Sequence, residues 1–343
     1  MAKAARAKAS KGKKASYTIG IDLGGTKVAA ALVNENGVIL KETRRPSVPP
    51  ELATQDVRQA VKSASPAHVR KHIAYVINAM ADTVMEAASA ANSANEIMGV
   101  GLAAAGPMNI DEGTLDYPSN FKGWKIVPIV KLLEEALAKR GLKKKVSFQN
   151  DAIAAALGEG WVGRARNCST YAMITVGTGI GSGVIFNGRP AQSGGMGSEW
   201  GHMLINAPGL NADRDNFATR TVEGIASGTG IILRAKARGF NANSATVVAE
   251  AARKGDKLSL ELFAQASEAL AALMFSLSLG FHPEKFVVSG GMLAIKDLFL
   301  PQAIELYREI MRRKNPKFLA PVQVAQLGTK AGVIGGARLP YLD

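Results

Sequence analysis

The sequence predicts an α/β protein of two related halves with a cleft between them, and two observations carry that expectation. A strand–glycine turn–strand unit occurs twice, once around residues 17–33 and again around 170–186. At 343 residues, the chain is also long enough for two domains, or for one large domain split by a cleft.

The first unit reads Gly20-Ile-Asp22-Leu-Gly24-Gly25-Thr26-Lys27, with apolar runs at 17–23 and 28–33 on either side. Two glycines tolerate the positive φ of a tight hairpin, and the flanking β-branched residues favour extended chain. With no side chain in the way, the N–H groups of such a turn can approach an anion closely. Asp22 closes the first strand and offers an oxygen suited to Mg²⁺ and its waters. Phosphate transfer is therefore the first functional expectation; an ordinary glycine-rich hairpin is the alternative. The segment is not a Walker A loop, because Gly25 is followed by Thr26 before Lys27 and a strand comes next. A dinucleotide fingerprint would need a helix there.

With 47% hydrophobic and 20% charged residues, the composition is that of a soluble globular protein. No apolar run approaches the ~20 residues of a membrane span, and no signal-type apolar segment follows the basic N-terminus. The single cysteine, Cys168, excludes an internal disulfide framework and fits a reducing compartment, so a cytoplasmic location is expected. The net charge is +14, and six of the cations (Lys3, Arg6, Lys8, Lys11, Lys13, Lys14) lie in residues 1–16, which contain no acid. Beyond them stand 36 basic and 28 acidic side chains, a balance of +8. The tail is expected to be disordered and at most a non-specific polyanion contact, too short for a helix-turn-helix.

A helix is expected over about 67–91. It carries His68 and His72 four residues apart, but with Arg70 and Lys71 between them and no nearby acid they read as a solvated face. A buried strand at 98–104 ends at Gly106-Pro107; a loop with Asn109 and Asp111 leads to Ser119-Asn-Phe-Lys-Gly-Trp124. An amphipathic helix at 129–140 and a short strand at 146–148 follow. Asn150-Asp151 then heads an alanine-rich helix of about 152–160, where either residue could cap the helix. A carboxylate at the carboxyl end of a strand could also take a proton from a substrate hydroxyl.

The second unit is a strand from Thr170 to Val176, then Gly177-Thr178-Gly179-Ile-Gly181-Ser-Gly183, then a strand to Phe186. Glu199-Trp-Gly-His202 follows the glycines 194, 195 and 197 and precedes an expected strand at 203–206. A helix from about 220 has Glu223 in its first turn. The strand from Phe286 ends in Gly290-Gly291 before a helical segment whose N-terminus could face a nucleotide's phosphates. A last helix at 333–338 is expected to return to the sheet.

Taken in order, Asp22-Leu-Gly-Gly-Thr-Lys27, Gly106-Pro107, Asn150-Asp-Ala-Ile-Ala-Ala-Ala-Leu-Gly-Glu159, Gly177-Thr-Gly-Ile-Gly181, Glu199-Trp-Gly-His202 and Gly290-Gly291 resemble the ROK family of bacterial sugar kinases and repressors. The resemblance covers about 17–338 and implies the two-domain actin-like ATPase (ribonuclease H-like) fold with an interdomain cleft. Beyond the basic tail at 1–16, it implies a first domain at 17–150 joined by a C-terminal helix at about 328–343. A larger second domain occupies 151–327. It further implies Asp151 as catalytic base and Asn150, Asp151, Glu199, His202 and Glu223 as sugar ligands. ATP falls on Asp22, Gly24, Gly25, Thr26, Lys27, Gly177, Thr178, Gly179, Gly290 and Gly291, with Asp22 holding Mg²⁺ through water.

Many members of that family bind zinc with three cysteines that follow the Glu-x-Gly-His motif. Here 207–221 has none, offering Asn211, Asp213, Arg214 and Asp215, so no zinc is expected. The activity implied is ATP-dependent phosphorylation of glucose to glucose 6-phosphate. Mannose, fructose or an N-acetylated amino sugar as acceptor, and polyphosphate as donor, are the alternatives. A sugar-responsive repressor fits less well, because the first strand begins at Tyr17, leaving no room for a DNA-binding domain. A homodimer is expected, with no membrane and no specific nucleic-acid partner.

Overall fold

The computed structural model describes residues 16–49, 65–192, 194, 198–205 and 220–343. Apart from Ser16, the basic tail lies outside them, as do Gly195, Gly197 and most of the 207–221 segment. The first half contains β1 (Tyr17–Leu23), β2 (Lys27–Asn34), β3 (Ile39–Pro46), α1 (Pro66–Ala88), β4 (Ile97–Ala104), β5 (Met108–Asn109), β6 (Thr114–Asp116), β7 (Ile126–Val127), α2 (Ile129–Lys139) and β8 (Val146–Asn150). Next come α3 (Asp151–Val162), β9 (Tyr171–Val176), β10 (Ile180–Phe186) and β11 (Arg189–Pro190). The helices α4 (Val222–Ala226), α5 (Gly228–Ala237), α6 (Ala245–Arg253) and α7 (Lys257–Phe281) precede β12 (Phe286–Ser289), α8 (Leu300–Lys314), β13 (Val322–Val324) and α9 (Ala331–Arg338).

The repeat read from the glycine turns extends to whole sheets. One five-stranded sheet has the order β3-β2-β1-β4-β8 and the other β11-β10-β9-β12-β13. In each, a glycine hairpin forms the antiparallel side (β1/β2, β9/β10) and two parallel strands complete the other. A small sheet, β5-β6-β7, sits beside the first.

Each sheet has its own apolar core, the dominant source of stabilisation. Around the first, Ile19, Ile21, Leu32, Val76, Met80, Leu102 and Leu133 are buried together. Around the second, Ile174, Val184, Phe263, Leu273, Phe286 and Tyr307 are. The helix α7, 25 residues long, is apolar and long enough to cross a membrane, contrary to the expectation that no segment would be. Leu262, Phe263, Leu270, Leu273 and Leu277 bury it in the second core.

Chain passes from one sheet to the other through α3, which leaves β8 directly and packs on β9 and β10, and returns through α9, which lies on β1 and β4. The two crossing helices pack on each other. Close approach explains Gly20 of the first motif: a Cβ there would fall 1.8 Å from the Val333 carbonyl oxygen of α9, and one on its sheet neighbour Gly101 would fall 1.9 Å from that of Gly336. Glu159 on α3 is fully buried and ties the segment before α9 to it. Its Oε1 accepts the N–H groups of Gln326 (2.9 Å) and Leu327 (2.7 Å), and its Oε2 that of Arg164 (2.7 Å). A buried carboxylate is tolerated when its lone pairs are met in this way.

Of the strand expected at 203–206, the described part is a single bridge between Leu204 and Thr221, after a 3₁₀ turn at Trp200–His202. Backbone hydrogen bonds from Ile205 N–H to the Arg220 carbonyl (3.1 Å) and from Val222 N–H to the Met203 carbonyl (3.0 Å) flank that bridge, and residue 206 lies outside the described residues.

Candidate active site

At the end of β1 the chain turns at once into β2, and the N–H of Gly24 donates to the Lys27 carbonyl at 2.9 Å. Among the described residues, the N–H groups of Gly25 and Thr26 have no partner within the chain. Adjacent free N–H groups on a turn form an anion cradle. The turn's outer carbonyls are engaged elsewhere: Ser47, buried after β3, donates its Oγ–H to the Gly24 carbonyl (2.9 Å) and its N–H to the Thr26 carbonyl (3.0 Å). Thr26 and Lys27 are exposed.

The second turn repeats the pattern. Gly177 N–H donates to the Gly179 carbonyl at 2.9 Å, and among the described residues the N–H groups of Thr178 and Gly179 lack internal partners. Its carbonyls are held by the start of α5, through Gly228 N–H to Gly177 (2.8 Å) and Thr229 N–H to Thr178 (3.2 Å). Gly290 and Gly291 border this turn and differ from each other. Gly290 has φ +105°, and a Cβ would fall 2.2 Å from the Val176 carbonyl oxygen, so its role is internal. A Cβ on Gly291 would meet nothing within 4 Å, which leaves room for a ligand. The helical segment expected after them is present at Gly291–Leu298, 3₁₀ in type and broken at Ile295.

Asn150 is the N-cap of α3, its Oδ1 accepting from Ala152 N–H (2.9 Å) and Ile153 N–H (3.3 Å). That leaves its side-chain NH₂ as the group able to meet a ligand. Asp151 Oδ1 also accepts from Ala152 N–H, at 2.8 Å. Burial pushes the Asp151 carboxyl up, against a smaller lowering by its backbone hydrogen bonds. Asp22 is pushed up to about 6, first by burial and then by the charge of Asp151, while Lys27 and Arg44 pull it down. A partly buried carboxylate facing a second negative charge suits a divalent cation, so the donor set fits Mg²⁺ held through water.

The remaining expected sugar ligands gather around Ile180, the first residue after the second turn. Its N–H donates to Glu223 Oε2 at 2.8 Å. Its carbonyl oxygen would lie 2.0 Å from a Cβ on Gly201, so only glycine lets the Trp200–His202 turn approach β10 so closely. Trp200 N–H donates to Ser182 Oγ at 3.1 Å, fixing the same turn. Glu199 and His202 form a pair with Oε2 3.8 Å from Nε2, both side chains substantially exposed. Adjacency joins Asn150 to Asp151 and charge joins Asp151 to Asp22; among the described residues, no hydrogen bond or ion pair joins these to Glu199 or His202.

Two residues were not expected in this neighbourhood. His72 is half-buried rather than on a solvated face: its Nε2 lies 3.2 Å from the Ser47 carbonyl, and its ring sits edge-on to Phe121 and Trp124. Burial lowers its pKa, partly offset by the Ser47 carbonyl. Ser47 carries no sequence signal, because its contacts lie more than 20 residues away. For His72, the signal was the aromatic pair in the 119–124 loop.

Two sheets of one strand order, each with a glycine hairpin and joined by two crossing helices, define the two-domain actin-like ATPase class. The chain belongs to the ROK family, which it matches over residues 18–341. It is similar to the glucokinase of Thermotoga maritima, at 30% identity over 340 residues covering 94% of this chain and 96% of that protein. Among solved structures it resembles the ROK hexokinase from Thermus thermophilus, with TM-score 0.77 and 27% identity over 95% of this chain and 98% of that one. It also resembles a ROK family glucokinase from Streptomyces griseus in complex with glucose and AMPPNP, with TM-score 0.65 and 26% identity over 96% and 100%.

Proposed function

We propose that the protein is an ATP-dependent hexose kinase that converts glucose to glucose 6-phosphate, with Asp151 as general base. The observation that carries this is the combination of two turns with free N–H pairs and a half-buried carboxylate at the head of α3. The glucokinase relative and the glucose- and AMPPNP-bound structure support glucose as acceptor and ATP as donor.

In this reading the Asn150 NH₂, Glu199, His202 and the second carboxylate oxygen of Glu223 orient the sugar hydroxyls. Asp151 accepts the proton of the attacking hydroxyl, and its raised pKa strengthens it as a base. Gly24, Gly25, Thr26 and Lys27 hold the γ-phosphoryl group while the sugar oxygen bonds to its phosphorus, the bond to the β–γ bridging oxygen breaks and ADP leaves. Gly177, Thr178 and Gly179 hold the other phosphates, and Gly291 leaves space for the adenosine. When bound near Asp22, Mg²⁺ neutralises phosphate charge. Most of the rate enhancement then comes from position and electrostatics. Residues 17–150 with the helix at 328–343 form one domain and 151–327 the other, so closure bends the chain at α3 and α9 and excludes water. With one cysteine in the chain, a Cys₃His zinc site cannot be assembled within it.

The test compares ATP with inorganic polyphosphate as donor across glucose, mannose, fructose and N-acetylated amino sugars. The proposal expects the highest kcat/KM for ATP with glucose. A preference for polyphosphate or another sugar would correct it, and phosphorylation of none of them would refute it.

A further inference from the structure

The first glycine turn is held from behind by residues that touch no expected ligand. Ser47 makes three hydrogen bonds with its own atoms: Oγ–H to the Gly24 carbonyl (2.9 Å), N–H to the Thr26 carbonyl (3.0 Å), and a carbonyl 3.2 Å from His72 Nε2. A carbonyl only accepts, so His72 Nε2 carries the hydrogen in that pair. The imidazole is edge-on to Phe121 (5.9 Å between centroids) and Trp124 (5.5 Å), which stack on each other at 4.5 Å. The same 119–124 loop sets Asn120 against the turn: a Cβ on Gly25 would fall 3.2 Å from Asn120 Cβ.

We propose that Ser47, oriented by His72, is the positioning residue of the first turn. It holds the Gly24 and Thr26 carbonyls on one side and so fixes the planes of the 24–25 and 26–27 peptides, which keeps the Gly25 N–H turned towards the phosphoryl donor. An unheld peptide could rotate and present a carbonyl oxygen to the phosphate, replacing attraction by repulsion. The role rests on the proposed use of this turn by the donor.

The test uses the full-length protein with Ser47→Ala, His72→Phe and His72→Gln. Phenylalanine keeps an aromatic ring against Phe121 and Trp124 but removes the donor to Ser47; glutamine restores a donor near the Nε2 position. Losing one such hydrogen bond is expected to raise the KM for ATP roughly 5- to 10-fold in Ser47→Ala and His72→Phe. The hexose KM should stay within about twofold, and His72→Gln should recover most of the loss. Hydrogen exchange of the ligand-free protein at the Gly24 and residue-47 amides should quicken in the first two variants and not in the third. Wild-type ATP KM and unchanged exchange in Ser47→Ala and His72→Phe would overturn the proposal. If the wild-type protein phosphorylates no hexose, the functional reading fails, and the exchange measurement alone decides whether the brace exists.

Discussion

Burial of Asp22, reinforced by the negative charge of Asp151, pushes the Asp22 carboxyl up from 3.8 to about 6. The folded protein therefore binds this proton more tightly than the unfolded chain does. Below about pH 4 both states are protonated and Asp22 costs nothing; the cost grows between about pH 4 and 6 and stays constant above. Asp22→Asn should raise the melting temperature at pH 7.5 by about 3 °C, with the gain vanishing towards pH 4, while kinase activity falls. Calorimetric melts of both proteins at pH 4.5, 6 and 7.5 check this, and a less stable variant at pH 7.5 would contradict it.

The two glycines at the end of β12 should separate folding from binding. At Gly290, φ of +105° and the Val176 carbonyl forbid a Cβ, so Gly290→Ala should cost about 2 kcal/mol or more in denaturant unfolding. Gly291 faces open space, so Gly291→Ala should keep wild-type stability and raise the KM for ATP several-fold. Equal stability losses in both variants would remove the distinction.

Glu223 has one oxygen on Ile180 N–H, and the other is the one proposed to meet a sugar hydroxyl. Glu223→Gln keeps an acceptor for Ile180 but loses the charge, whereas Glu223→Ala leaves that N–H without its partner. The alanine variant should lose about 1–3 kcal/mol of stability and both substrates' affinities. The glutamine variant should raise the hexose KM with the ATP KM little changed. Unfolding curves and steady-state kinetics with each substrate varied distinguish these outcomes.

Both glycine hairpins, α1, α2, α3 and α9 were legible because their cues are local: β-branched runs around Gly24-Gly25 and Gly177-Thr178-Gly179, and an Asn150 cap before alanines. What sequence did not show depends on chain far away. Leu204 gains only Thr221 as a bridge partner, so no strand forms among the described residues there. His72 looks solvated beside Arg70 and Lys71 until the 119–124 loop places two aromatic rings against it. Glu159 stood in a recognisable motif, yet its three backbone partners at Arg164, Gln326 and Leu327 come from packing α3 against the segment before α9. Asp22 and Asp151 were each visible as carboxylates at strand ends, but their mutual charge follows from β1 and β8 lying on either side of β4.

The central claim is that Asp151 takes the proton of the attacking hydroxyl, and the most direct measurement is hexose-dependent turnover of Asp151→Asn with ATP. Asparagine can still accept from Ala152 N–H, so the cap region should hold. The account predicts a kcat lowered by roughly 10²–10⁴ with the hexose KM within a few-fold of wild type. Near-normal turnover by Asp151→Asn would contradict it.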